Sequence, residues 1–264
     1  MPTYALLGAT GSTGSAILRY LLEVPPKDLT LHILVRNKSK LLQQFPNLES
    51  SSIKPFPLQI TEGTPDDAAS LRQCLKDADV VFMCIATNQS VPGQSLAQDT
   101  TKSIIAALHN LRKDQSSIGQ YTTPTILMLR TASLNKTFAA QAGFAKHLVH
   151  FCLHYVYADL QAACDDLEST ARDHPGLLDF VLVDPPAIHD PQGTTRTGHR
   201  LELERNPSST LMYADLGAGF VEVAERRREF RGLGVGVSAT GVVNETWGIL
   251  AGYLGMGLKS RIIG

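Results

Sequence analysis

Leu6-Leu7-Gly8-Ala9-Thr10-Gly11-Ser12-Thr13-Gly14-Ser15 joins a short apolar run, Thr3–Leu7, to a segment with Ile17, Leu18, Leu21 and Leu22 on one helical face. The order is buried strand, glycine turn, helix. The glycines follow a GxxGxxG spacing. Gly8 permits the tight turn, Gly11 removes the side chain that would block a diphosphate, and Gly14 lets the helix pack against the strand. The free N–H groups and the dipole at the helix N-terminus both favour an anion there. The plainer alternative is a glycine-rich turn with no ligand. A kinase-type phosphate loop is disfavoured, because no Lys-Ser/Thr pair closes the motif.

Outward from this stretch, apolar runs alternate with helical patterns. Ser15–Leu22 is helical until Pro25 and Pro26 stop it. Leu29–Val35 reads as a second strand and Lys38–Phe45 as a short helix. Ile53–Ile60 carries Pro55 and Pro57, so a strand there is irregular. Thr64 or Asp66 is placed to cap a helix running to about Lys76. Asp79–Ile85 is almost continuously apolar, as in a strand covered on both faces. Ser95–Asn110 reads as a helix, Thr125–Arg130 as a fifth strand, Lys136–Thr170 as largely helical, and Phe180–Val183 as a sixth strand. Six strands with helices between them predict an α/β fold, a doubly wound parallel Rossmann sheet, whose ligands bind at the carboxyl ends of the strands. The expected division is a dinucleotide-binding domain over residues 1–183 and a small substrate-covering segment over 184–264 packed on the same domain.

The second strand ends in Arg36-Asn37-Lys38, and Arg36 lies 22 residues past Gly14. An NAD-preferring site places a carboxylate there to hold the ribose diol; an arginine suits a 2′-phosphate, with Lys38 or Lys40 assisting. The expected cofactor is therefore NADP, with NAD second and a solvated basic loop as the unliganded alternative. The 264 residues hold 24 Lys plus Arg against 25 Asp plus Glu. A near-neutral chain lacks the basic excess that nucleic-acid binding needs. Cys74, Cys84, Cys152 and Cys164 are dispersed without a CxxC pair, which fits unpaired thiols in a reducing compartment. No apolar run reaches a bilayer's thickness and no cleavable leader is visible, so a cytoplasmic protein free of membrane is expected.

With Gly8–Gly14, Leu34-Val35-Arg36, the run Asp79–Thr87, Val181–Pro186 and Tyr213-Ala214-Asp215-Leu216-Gly217 in view, the chain resembles the atypical short-chain dehydrogenase/reductases, specifically the NmrA-like NAD(P)H-binding branch. The motifs are specific over residues 1–130, looser to 190 and sparse beyond. The narrower resemblance is to fungal tailoring oxidoreductases of aromatic polyketide pathways, of the averufin oxidase A type. This resemblance implies phosphate contacts from Thr10, Ser12 and Thr13, with Ala86 and Thr87 along a ribose. It also implies Ile60 and Thr61 beside the adenine, Pro185 and Pro186 beside the nicotinamide, and a late segment covering the substrate.

Reductases of this kind use a Tyr as general acid, a Lys four residues on, and a Ser after the fifth strand. The matching residues are Tyr157 and Ser133, but Gln161 stands where the Lys would be. Gln can hydrogen-bond a ribose yet brings no positive charge to activate the phenol. Tyr157 as a core or cofactor-stacking residue, and Ser133 as a plain loop hydroxyl, are the alternatives. Lys146 has no spacing that assigns it a role. His147, His150 and His154 recur at helical spacing without an HExxH motif or an acidic partner, so no metal is expected; one of them serving as the missing acid is a minor reading.

The polar loop Asp184–Arg200 reads as a substrate cover or a passive loop, and Glu225–Glu229 as a solvated helix end. Trp247–Leu258 reads as a packed terminal helix, with a homodimer surface as its second use. No GxSxG elbow is present. The function these features favour is an NADP(H)-dependent oxidoreductase of secondary metabolism, acting on a small carbonyl, quinone or aromatic polyketide-type substrate. A non-catalytic NADP-binding redox-sensing regulator and a redox-neutral isomerase or cyclase are the other two readings.

Overall fold

The computed structural model describes residues 1–49, 55–116, 121–141, 143 and 145–263. The first half follows the alternation in the sequence. Strand β1 (Thr3–Leu7) leads into helix α1 (Ser12–Glu23), β2 (Thr30–Val35) into α2 (Lys38–Gln44), and β3 (Leu58–Glu62) into α3 (Ala68–Leu75). Next come β4 (Val80–Met83), α4 (Leu96–Ser116) and β5 (Thr125–Leu129). Strand β3 starts only after Pro57, whose carbonyl accepts the Leu31 amide; Ile53 and Lys54 lie outside the described residues. The cap of α3 is neither Thr64 nor Asp66 but Asp67, whose Oδ1 accepts the amides of Ala69 and Ser70.

The stretch expected to be one helical block is three helices: α5 (Lys136–Gln141), α6 (Ala145–Cys152) and α7 (His154–Asp173). The chain turns at Leu153 between the last two. Strand β6 (Asp179–Asp184) is followed by β7 (Ala187–His189), β8 (His199–Glu202), β9 (Thr210–Met212), α8 (Tyr213–Glu225), β10 (Gly234–Ala239) and α9 (Trp247–Ile263).

The main sheet has eight strands in the order β3-β2-β1-β4-β5-β6-β10-β8, and β7 pairs with β9 in a small second sheet. All pairs of the main sheet are parallel except β10 with β8. This is a doubly wound Rossmann sheet. It carries two strands more than the six the sequence suggests, because β8 (HRLE) is a polar edge strand and β10 (GVGVSA) is two-thirds glycine and small residues. Neither has a strong apolar signal.

Pleating sends alternate side chains into two cores. Tyr4 and Leu6 of β1 join Ile17, Leu18, Phe82, Leu216 and Phe220 on the face covered by α1 and α8. Ala5 and Leu7 join Met83, Ile104, Leu160 and Cys164 under α3, α4 and α7. The rings of Tyr4, Phe82 and Phe220 form an edge-to-face chain, so the late helix α8 is bound into the same core as β1. The order reverses between β1 and β4, which opens a crevice beyond their carboxyl ends.

Candidate functional site

The glycine loop sits at that crevice. Gly8 has φ +90°, and a Cβ on it would lie 2.7 Å from the Cys84 carbonyl oxygen. Gly14 meets the Gly8 carbonyl so closely that a Cβ would stand 2.2 Å from its oxygen. Gly11 differs: a Cβ there would meet nothing closer than 3.4 Å. Packing of the protein against itself therefore does not require glycine at position 11. The space above Gly11 is left open for a group that lies on the loop.

No side chain caps α1, no acidic residue occupies its first turn, and Gly11 is exposed. Thr13 is buried, while Thr10 and Ser12 are half-buried at the same rim. Open amides, room above Gly11 and a positive helix end fit a diphosphate. At the carboxyl end of β2, Arg36 is exposed and has no hydrogen bond or ion pair among the described residues. Lys38, one of its two expected assistants, is held by Glu49 at 2.7 Å, and Asn37 caps α2 through the Lys40 amide. Ile60 and Thr61 stand one strand further out, in register with Ile33 and Leu34.

Two residues past Cys84 the chain reaches a cavity of about 520 Å³. Ala86, Thr87 and Asn88 after β4 form one side; Thr131 and Ser133 after β5, and Pro185 to Ile188 after β6, form the floor. Val149 of α6 and Val156, Tyr157 and Leu160 of α7 wall it, and Asn206 to Ser209, Tyr213, Trp247 and Leu254 close it from the late part of the chain. Thus Ala86, Thr87, Pro185, Ser133 and Tyr157 are brought to one place by four separate elements.

The Tyr157 phenol is 9% exposed. Burial pushes its pKa up, and hydrogen bonds with the Ser133 and Thr131 hydroxyls pull it part of the way back. Gln161 is absent from the cavity wall; it is exposed and its amide donates to Asp165 at 2.8 Å. The position four residues after Tyr157 consequently offers the site neither charge nor hydrogen bond. The Lys146 side chain lies outside what the structure describes.

Several polar residues that hold the walls are invisible to motif reading. Asp184, fully buried at the end of β6, accepts two hydrogen bonds from the Arg130 guanidinium at 2.7 and 2.6 Å and one from the Asn135 amide at 2.8 Å. Burial drives the Asp184 carboxyl upward against these partners; on Arg130, burial opposes the charge but the Asp184 hydrogen bonds and charge outweigh it. Asn135 turns its own Oδ1 to the amides of Thr137 and Phe138 and so caps α5. The one charged side chain on the cavity wall among the described residues, Arg130, is thereby neutralised.

Asp159, two residues after Tyr157, accepts the amides of Ala97 and Gln98 at 2.9 Å each and caps α4 from α7. Asp215, inside the late Tyr-Ala-Asp-Leu-Gly segment, is fully buried and accepts the amides of Thr197 and Gly198. Asp184 and Asp215 fall within segments that carried the resemblance, but nothing in the sequence pairs these residues with their partners.

The remaining candidates separate. Arg196 of the long loop pairs with Glu23 and lies over the Tyr20 ring, so the loop's far end rests on α1, while its start, Pro185 to Ile188, lines the cavity. His147 and His150 are on α6 but His154 begins α7, so the three share no continuous helix face. Among the described residues no group of three His, Cys, Asp or Glu side chains comes together to hold a metal. Arg226 pairs with Glu222 and Glu229 at the solvated end of α8. Among the described residues no helix is long and apolar enough to cross a membrane.

The sequence profile of a family described as NAD(P)H-binding matches residues 8–226, from the first loop glycine to the residue that ends α8. The chain belongs to this NAD(P)H-binding family. Averufin oxidase A of Dothistroma septosporum is 51% identical over 267 residues, spanning 99% of this chain and 92% of its own length. Averufin oxidase A of Aspergillus flavus is 45% identical over 263 residues, spanning 99% and 91%. Among solved structures, a wide-type short-chain dehydrogenase/reductase from Veillonella parvula in complex with NADP superposes with a TM-score of 0.61 at 14% identity, covering 93% of this chain and 98% of that one. That likeness is one of fold. Like its curated family relatives the chain is an oxidoreductase of secondary metabolism, and the resemblance legible in its motifs holds.

Proposed function

We propose that this family member is an NADP(H)-dependent reductase of an uncharged carbonyl, quinone or aromatic polyketide-type substrate, with averufin the first to test. The observation that carries the reading is the convergence of Tyr157, Ser133 and Thr131 on a largely apolar cavity that begins two residues past the strand end abutting Gly8. Gly8, Thr10, Gly11, Ser12, Thr13 and Gly14 would hold the diphosphate of a dinucleotide whose nicotinamide end would enter the cavity. Arg36, free of partners among the described residues, meets the 2′-phosphate, with Lys40 alone to assist it. When bound, the reduced nicotinamide supplies the hydride.

The chain's own groups do the rest. Ala86 and Thr87 would lie along the ribose and Pro185 beside the nicotinamide, and together they would exclude water. Tyr157 donates its phenolic proton to the substrate oxygen as the carbon accepts the hydride. Its raised pKa keeps that proton in place near neutral pH, which suits reduction better than oxidation. Ser133 and Thr131 then hydrogen-bond the phenolate until solvent reprotonates it.

Purified protein mixed with NADPH and averufin, or with menadione, is expected to lose the near-ultraviolet absorbance of the reduced cofactor. Tyr157→Phe should slow that loss by ~10²–10⁴. Arg36→Ala should weaken NADP binding by roughly tenfold or more and leave NAD almost untouched; equal loss for both cofactors removes Arg36 from the phosphate. Tight NADP binding with no turnover on any carbonyl or quinone would favour the regulator, a reading that the uncharged position 161 supports. The buried, unpaired cysteines suit the cytoplasm. Exposed Trp247, Met256 and Ile262 on α9 offer a surface for a homodimer, which sedimentation would detect.

A further inference from the structure

In this chain the position four residues after Tyr157 faces solvent, so whatever fixes the Tyr157–Ser133 pair must come from another element. Helix α6 supplies a candidate. His150 Nε2 lies 3.0 Å from the backbone carbonyl oxygen of Ser133. The same imidazole stands edge-to-face against the Tyr157 ring, with centroids 5.0 Å apart and planes at 80°. A carbonyl oxygen only accepts, so Nε2 carries a proton in this contact whatever the state of Nδ1. His150 is not among the residues that line the cavity, yet it contacts both members of the pair. We infer that His150 is a positioning residue that clamps the Ser133 turn and the Tyr157 ring in mutual register, the support that no residue of α7 provides. The inference rests on the reading of Tyr157 and Ser133 as the proton-donating pair.

The physical case is one of independent elements. Ser133 belongs to a single 3-10 turn, Ala132–Leu134, which follows β5 and is held from below by the Ala132 amide donating to the Pro185 carbonyl. Tyr157 sits one turn into α7, whose start is tied to the β4–α4 loop by the Tyr155 amide donating to Ser90 Oγ. Neither tie sets the orientation of one hydroxyl toward the other. The imidazole contacts both: its N–H fixes the Ser133 peptide plane, and its ring restricts rotation of the phenol. Proton transfer is steep in geometry, so loss of such a clamp acts on the chemical step and not on cofactor binding. Neighbouring groups do not substitute for it. Arg261 of α9 lies over Phe151 and Tyr155, and the His154 ring stands edge-to-face against Tyr155, so these side chains are engaged with Tyr155.

The test uses the full chain with NADPH and averufin or menadione, and the variants His150→Gln, His150→Phe, Tyr157→Phe and the double variant His150→Phe/Tyr157→Phe. Gln keeps an N–H near the place of Nε2; Phe keeps the ring and loses the donor. His150→Phe is expected to lower kcat about tenfold, with KM for NADPH within about twofold and the melting temperature unchanged. His150→Gln should recover to within about threefold of the parent, and His150→Phe should cost nothing further in the Tyr157→Phe background. Gln161→Ala, outside the site, should leave kcat as it is.

Full activity of His150→Phe, a Gln variant no better than Phe, or an additive loss on top of Tyr157→Phe overturns the inference while the acid stands. Full activity of Tyr157→Phe overturns the reading of the acid itself, and so does a parent protein that oxidises no NADPH with either probe. Should Phe at 150 prevent folding, His150→Asn, whose amide is too short to reach the carbonyl, takes its place with the same tenfold drop expected.

Discussion

The two sides of the cleft are built by different means. The glycine-loop side is made of backbone: three glycines within seven residues set a turn, a close approach and an open row of amides, and no side chain caps the helix that follows. The opposite wall is made of side chains from α6, α7 and the segments that follow β5 and β6, with Arg130, Asn135 and Asp184 locked together and His150 touching the Ser133 turn. A backbone site is specified by spacing within one loop. A side-chain site depends on residues tens of positions apart and on buried polar networks, where one missing partner leaves another unsatisfied.

The contrast can be broken most sharply on the side-chain wall. Asp184→Asn leaves the Arg130 guanidinium, whose side chain is 9% exposed, without its counter-charge. We expect a loss of about 3–5 kcal/mol of stability in chemical denaturation. A loss under about 1 kcal/mol would mean that the wall does not depend on this pair. On the backbone side the glycines should separate. Gly14→Ala forces a methyl to 2.2 Å from the Gly8 carbonyl oxygen and should cost about 1–3 kcal/mol or more. Gly11→Ala should leave stability within about 1 kcal/mol, because its methyl finds ordinary contact, yet reduce NADP affinity at least tenfold by occupying the diphosphate's place. Calorimetry on the two variants reads both quantities; equal affinity for parent and Gly11→Ala would remove the diphosphate from the loop.

The smallest effect is one of pH. His189 is fully buried, its Nδ1 accepts the Thr246 amide at 2.8 Å, and its ring stands against Trp247 at the cavity's edge. Burial lowers its pKa from the ordinary 6.5, so the unfolded chain takes up a proton before the folded one does. This group therefore costs nothing above about pH 6.5 and destabilises the fold as pH falls below that. His189→Asn keeps an acceptor for Thr246 and cannot be protonated. Its stability, followed by thermal melting between pH 7 and 5, should fall less steeply than the parent's; parallel curves would show that His189 does not set the slope.

Much of the first half was legible. Glycine spacing placed the crevice, near-continuous apolar runs marked the central strands, and Pro25 marked where the first helix ends. Tyr157 and Ser133, picked by motif, do share a cavity. What escaped was polar or lay far apart in sequence: the edge strand β8, the break at Leu153, the α4 cap from Asp159, the hold of Asp215 on the Thr197 and Gly198 amides, and the loss of Lys38 to Glu49. Each is a pairing between segments that local periodicity cannot connect.

The amino-acid order alone determined the parallel αβ layering and the glycine turn, because both follow from short-range rules: strand pleat, helix period and the φ freedom of glycine. Only the folded arrangement decided that Gln161 looks outward, that His150 reaches the Ser133 carbonyl, and that Arg130 is silenced by Asp184. Those outcomes depend on where distant backbones come to rest. Ångström-scale hydrogen bonds and desolvation are fixed by that placement and leave no periodic trace in the chain.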